Sequence, residues 1–327
     1  MESQLSFAAN EFRGKKKQTK REKFLGQMEK LVPWGRLEEL IEPHYPKGER
    51  GRPPKGIEKM LRVYFLQQWY GLADEALEDA IYDSQAMRLF AGIDLSSEGV
   101  PDATTLLKFR HLLEKHDLTK GILEEINAVL SEQKCHMKEG TIVDATIIAA
   151  PSSTKNADRQ RDNEMHQTKK GNQWYFGMKA HVAVDAQSGL VQRVIGTAAN
   201  VSDISQTSAL LHGEEKDVFA DAGYLGVEKR PEIVSRAKQP RWHIAAKRGT
   251  VRAMAEGKLK KLTEELEKVK AQVRARVEHP FAIIKNLFKY RKVRYRGLAK
   301  NTAQLHSLFA LANIILAGRN YALRVYP

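Results

Sequence analysis

The chain has 327 residues, 42% hydrophobic and 29% charged, which gives it the material for a real core and the length for two domains. It carries 54 Lys and Arg against 40 Asp and Glu, a net charge of +14 with a pI near 9.6, and this balance favours a polyanionic partner. One cysteine, Cys135, excludes an internal disulfide and a thiolate metal cluster.

In chain order, residues 1–45 read as a basic N-terminal arm followed by short amphipathic helices broken at Pro33. Residues 13–23 are almost all basic, and no apolar h-region precedes them, so no signal peptide is expected and the protein should be cytoplasmic and nucleoid-associated. The most apolar C-terminal stretch, Leu305–Leu316, is too short to span a bilayer. Helical periodicity runs over 55–70, 72–91, 103–115 and 118–133, with Gly71 and Gly92 as stops and Pro101-Asp102 as a start. Residues 46–135 are therefore expected to form a helical DNA-binding domain.

Two features there suit DNA. Arg50-Gly51-Arg52-Pro53 has the form of a minor-groove hook, a plain basic linker being the alternative. Helices 72–91 and 103–115 could pair as a helix-turn-helix with Leu106, Phe109 and Leu113 inward and Thr105, Lys108, His111 and Lys115 outward. An ordinary helical bundle fits the same pattern.

From about residue 140 the period changes. Residues 141–149, 178–185, 189–197, 217–221 and 242–246 read as strands, with helices at 203–212 (capped by Asp203), 228–237, 255–290 and 301–318. Three strands with a hairpin, then alternating helix and strand, give the fold class: α/β, a ribonuclease-H-like mixed sheet catalytic domain over 136–327, preceded by the all-helical domain. Residues 151–177 are a polar insert too long for a hairpin loop, and Trp174 or Tyr175 there could stack on an unpaired base while Phe176 packs beneath. His181 is expected to be a hydrogen-bonded structural histidine, with metal ligation as its alternative. Residues 285–300 hold seven cations, Lys289 and Arg291 among them, interleaved with Phe288, Tyr290 and Tyr295 and free of acids, a second indication of nucleic acid.

Three acids stand out from this background. Asp144 interrupts the apolar run 141–150, where a bare carboxylate is costly unless hydrogen-bonded, paired or bound to metal. Alternation puts it on one face with Ile142, Thr146 and Ile148. Asp221 ends the strand 217–221, the edge where open α/β sheets place ligands, although it could simply cap a turn. Glu278 shares a helical stripe with Arg274 and Lys285 at i, i+4 and i+11, within about 40° of one another. An exposed salt-bridged helix would show the same charges, but 277–288 is mostly apolar and should pack on something. Pro280 is expected to kink the helix just after Glu278.

Across essentially its whole length the chain resembles the DDE transposases of the bacterial insertion-sequence 5 family, within the insertion-sequence 4-like superfamily. Val-Asp-Ala-Thr (143–146) matches the first Asp segment, and Asp221, Gly223 and Tyr224 match an Asp-x-Gly-Tyr signature. Arg274, Glu278 and Lys285 match three of the four helical positions of the third segment; Ala271 stands where the family has Tyr. The resemblance implies two Mg²⁺ ions, replaceable by Mn²⁺, held by catalytic Asp144, Asp221 and Glu278, with Arg274 and Lys285 on phosphates. It also implies binding to terminal inverted repeats, cleavage and transfer of strands into target double-stranded DNA, and at least a homodimer on DNA. The competing readings are a ribonuclease-H-like nuclease or resolvase that does not join strands, and a non-catalytic DNA-binding regulator.

Overall fold

The computed structural model describes residues 14–48, 53–135, 140–157 and 159–320, so Arg50 and Arg52 lie outside the described residues. Helix α1 (Lys20–Leu31) begins earlier than its apolar pattern, because Thr19 and Glu22 close a reciprocal capping box. Pro33 separates it from α2 (Trp34–Ile41), as expected. Helix α3 (Ile57–Tyr70) ends at Gly71, whose φ of 66° suits a left-handed cap. The helix expected over 72–91 is two: α4 (Asp74–Asp83) and α5 (Gln85–Ala91). Ser84 leaves helical geometry between them, and its hydroxyl accepts from Met87 N to start α5.

Helix α6 (Ala103–Lys115) is capped by Asp102, which accepts from Thr105 N at 2.6 Å, and α7 (Leu118–Glu132) follows. Leu106, Phe109 and Leu113 are buried while Lys108, His111 and Lys115 are exposed, as the periodicity predicts. The connection from α5 to α6 runs from Gly92 to Asp102, too long for the short turn of a helix-turn-helix. The bundle alternative describes the packing better, with α3 at its centre and buried from Met60 to Trp69 except at Arg62.

The sheet comprises β1 (Gly140–Ala149), β2 (His166–Lys170), β3 (Gln173–Asp185), β4 (Val191–Ala198), β5 (Asp217–Ala220) and β6 (Arg241–Ile244). Its order is β2-β3-β1-β5-β6, with β4 also on β3. β1 is antiparallel to β3 and parallel to β5, and β5 is parallel to β6, so the sheet is mixed. β2 was not expected. The polar insert folds back as a β2–β3 hairpin around Gly171-Asn172, with Gly171 at φ 61°, and that Gly-Asn pair is the legible hairpin signal. At Gly177, where β1 and β2 both meet β3, an added Cβ would stand 2.1 Å from the Ile148 carbonyl oxygen.

The helices expected at 203–212 and 228–237 shrink to α8 (Thr207–Leu210) and α9 (Pro231–Val234), each preceded by a 3₁₀ turn. Asp203 makes no side-chain cap there; it pairs instead with Lys179 at 2.9 Å. A short α10 (Arg248–Arg252) leads to the long helical run, which is not uniform. It passes from α11 (Lys258–Arg274) through a 3₁₀ turn (Ala275–Val277) to α12 (Glu278–Ala282) and a π turn (Ile283–Leu287). Pro280 has no N–H for the Arg276 carbonyl, so the winding tightens before Glu278 rather than kinking after it.

Helix α13 (Leu298–Asn320) joins the two halves. Tyr64 Oη donates to Ser307 Oγ at 2.9 Å, and Gln304 Nε2 donates to Gln68 Oε1 at 2.9 Å, both buried. One apolar cluster runs from Leu25 through Ile142 and Ile148 to Ala317, and a smaller one with Val143, Val218 and Tyr224 lies on the opposite side of the sheet. The aromatics of 285–300 belong to this packing: Phe288 and Tyr290 are buried, and the Tyr295 ring lies under the Arg110 guanidinium at 4.6 Å. They are core residues and not a stacking surface, a correction to the sequence reading.

Candidate active site

β1 and β5 position the two aspartates. The parallel register pairs Thr141 with Val218 and Ile142 with Phe219, and carried two residues further it sets Asp221 beside Asp144. Adjacent strands lie about 4.8 Å apart, so Asp221 is brought close enough to Asp144 for the two charges to interact. Asp144 is half-buried and accepts from Ala145 N at 2.7 Å. Burial pushes its pKa up to about 6, and Asp221 and Glu278 push the same way while Arg274 opposes them. Asp221 also caps a turn, accepting from Gly223 N at 2.8 Å, so its structural and site readings coexist.

The helical run covers the same face of β1. Val277, Phe281, Ile283, Ile284 and Phe288 enter the main core, which fixes the charged stripe against the strand. Lys285 Nζ donates to Thr146 Oγ1 at 2.6 Å and to the Ile147 carbonyl at 2.9 Å, one alternation beyond Asp144. Its pKa is lowered, first by burial and then by Lys170, with Glu278 acting against the shift. Glu278 itself is exposed, contrary to the expectation of a buried acid, while its neighbour Val277 takes the core-facing position. Among the described residues no three His, Cys, Asp or Glu side chains stand close enough to hold a metal ion as they are.

Four contributors were not singled out by their chemistry beforehand. Tyr224 is 1% exposed, and its hydroxyl finds no partner among the described residues. It holds its proton far above the usual range, through burial and then through Asp144, Asp203 and Asp221. Thr146 is two residues from Asp144 on one face, a spacing that could have flagged it. Lys170 and Asp203 reach the region only through the hairpin and the β3 pairing. His181 fits its structural reading: it is fully buried, with Nε2 at 2.7 Å from Thr197 Oγ1, and burial pushes its pKa down to about 4.

Around this centre the sequence-predicted cations divide. Arg291 is exposed, with Nε donating to the Lys285 carbonyl at 3.2 Å, and Ala149 N donates to the Arg291 carbonyl, so that segment lies against the end of β1. Lys289 is exposed at φ 60°. Trp174 is 64% exposed on the hairpin with Lys169 near its ring, whereas Phe176 packs against the core. Lys108 lies on α6, in the helical half of the molecule and not on the sheet edge.

An aspartate within β1, a second just past the end of its parallel neighbour β5, and a helical run bearing cations and a glutamate against the same strand suit an α/β enzyme that works at the edge of a mixed sheet. Comparison with known families narrows the class. Residues 136–314 match the transposase DDE domain family and residues 12–112 match the transposase domain family DUF772. The chain belongs to the DDE transposase family; it is a DNA transposase, an enzyme of strand cleavage and transfer, and its family conventionally uses divalent metal ions.

Among solved structures, a piggyBac transposase synaptic complex with hairpin DNA aligns at 10% identity over 91% of this chain and 72% of that chain, with a TM-score of 0.42. The Mos1 strand transfer complex aligns at 13% identity over 76% and 82%, with a TM-score of 0.20. Likeness this low adds nothing to the family match. Among the described residues no helix is long and apolar enough to cross a membrane.

Proposed function

We propose that the sheet domain is ribonuclease-H-like and that Asp144, Asp221 and Glu278 form the catalytic centre of an insertion-sequence 5-type transposase. The observation that carries this is proximity: β5 runs parallel to β1 and delivers Asp221 from 77 residues away, and Asp221 and Glu278 both raise the proton affinity of the half-buried Asp144. A carboxylate that burial and two like charges make reluctant to ionise is one that a cation would stabilise, and an all-oxygen donor set suits Mg²⁺ or Mn²⁺. Two such ions would stabilise both the attacking and the leaving oxygen of an in-line displacement at phosphorus. Glu278 is the ligand that has to be drawn in, and its exposed side chain has the freedom to do so.

The remaining residues position DNA. Lys285, fixed by Thr146 and the Ile147 carbonyl, holds a phosphate oxygen of the scissile strand, and Arg274 holds a second beside Asp144. Lys289 and Arg291 extend this cationic strip along the duplex, and Trp174 stacks on an unpaired base near the cut. Lys108 on α6, with Arg50 and Arg52, contacts the flanking terminal repeat. Water attacks first and frees a 3′-hydroxyl; that hydroxyl attacks target DNA in the same centre, with no covalent protein intermediate. Joining two ends needs at least two copies of the chain, acting in the cytoplasm on the nucleoid.

The test uses Asp144→Asn with a terminal-repeat duplex and Mg²⁺. Cleavage should vanish while end binding survives; retained cleavage would sink the assignment. A pre-cut 3′ end separates a transposase from a nuclease or resolvase, since only the former joins it to target DNA.

A further inference from the structure

Helix α11 wears its amphipathicity inside out. It docks through polar side chains: Glu267 accepts from Ala246 N at 3.0 Å, and Lys270 donates to the Ile244 carbonyl at 2.9 Å. With Thr263 and Arg274 these lie at i, i+4, i+7 and i+11, one narrow stripe, and no residue of the helix is buried. Its large apolar residues face solvent instead: Leu259 is 70% exposed, Leu262 63%, Leu266 53% and Val269 56%. Of the eleven exposed large apolar side chains among the described residues, four are on this one helix, so they form a patch and not a scatter.

Their spacing identifies the partner. Residues 259, 262, 266, 269 and the half-buried 273 alternate steps of three and four, the a/d seam of a coiled coil. In that frame Glu265 is a g position and Lys270 an e position. Parallel, in-register pairing with a second copy sets Leu259, Leu262, Leu266 and Val269 of each chain against the same residues of the other across one two-fold axis, while Lys270 keeps its bonds to the Ile244 carbonyl and to Glu267. The seam lies about 90° around the helix from its polar docking stripe. The two molecules therefore fall on opposite sides of the seam instead of colliding. At 17 residues α11 would be marginal as a free helix, but Glu267 and Lys270 already hold its C-terminal half on the fold.

We propose that Leu259, Leu262, Leu266 and Val269 form a parallel two-stranded coiled coil between two copies of this chain. This deepens the two-copy assembly proposed above and rests on that reading for its purpose. The seam runs straight into Arg274 and the turn before Glu278, so pairing brings the third carboxylates of both copies out at one end.

The test is the mass of the full chain in solution without DNA, by light scattering after size exclusion. A dimer is expected, and Leu262→Glu with Leu266→Glu should halve the mass. Both side chains are exposed, so an unchanged melting curve keeps the result interpretable. Leu266→Cys should form an intermolecular disulfide under mild oxidation, while Glu264→Cys, on the far side of the seam, should not; Cys135 is 1% exposed and stays silent. A monomeric wild type overturns the proposal, including one in which residues 1–13 cover the stripe, and so does a dimer whose mass the double variant leaves unmoved. Single-end cleavage by the double variant is scored separately: its retention with loss of dimer supports the seam, and its failure in the wild type speaks only against the activity.

Discussion

The strand side and the helix side of the active centre are built to opposite specifications. Asp144 lies within β1 and Asp221 directly follows β5, the parallel neighbour of β1, so backbone pairing sets where the two segments run. Glu278 stands exposed at a junction where 3₁₀, α and π windings follow one another within thirteen residues. π turns inside helices recur at functional sites, and a mixed winding has no single ladder to hold it rigid. On the proposed assignment, two of the acids ride on the sheet and the third on a helical junction that would have to bring it in.

The largest effect expected from that contrast is catalytic. Glu278→Gln and Asp144→Asn should each reduce metal-dependent cleavage by on the order of a thousandfold or more, since each removes charge stabilisation worth several kcal/mol. Cleavage that survives Glu278→Gln would break the comparison by leaving the strand pair sufficient. Lys285→Met comes next, with about a hundredfold loss of cleavage, the scale of removing one charge-stabilising donor. End binding, measured by gel shift, should fall far less.

Stability should separate the two sides in the opposite direction. Folded Asp144 takes up its proton near pH 6, whereas an aspartate in the unfolded chain does so near 3.9. The native state thus binds more protons between these values, and stability falls as pH rises through that window. In metal-free buffer at pH 7.5, Asp144→Asn should raise stability by about 2 kcal/mol, with the gain gone below about pH 4. Glu278→Gln, at an exposed position, should leave the melting curve unchanged. Equal shifts in both variants would erase the distinction. The smallest effect belongs to Trp174→Ala: about 1 kcal/mol in binding to a duplex with unpaired bases at its end, with no change in thermal stability.

Much of this was legible in the chain. Asp144 in an apolar strand and Asp221 at a strand end are local patterns that the fold keeps, whereas the 3₁₀ and π turns on either side of Glu278 break the single period on which the Arg274–Glu278–Lys285 stripe was read. Caps such as Thr19 and Asp102 are equally local. The split at Ser84 was missed because a capping serine inside a helical pattern reads as an ordinary helix residue, and β2 was missed because polar side chains hide a strand whose signal lies in its turn.

By itself, then, the sequence determined which side chains are the candidates for the chemistry and on what kind of element each one rides. Only the tertiary structure decided that Asp221 stands beside Asp144, that Tyr290 and Phe288 are core and not surface, that Glu278 is exposed, and that α11 turns its leucines outward. Those are decisions about which faces meet, and they depend on contacts between residues far apart in the chain, which no local period encodes.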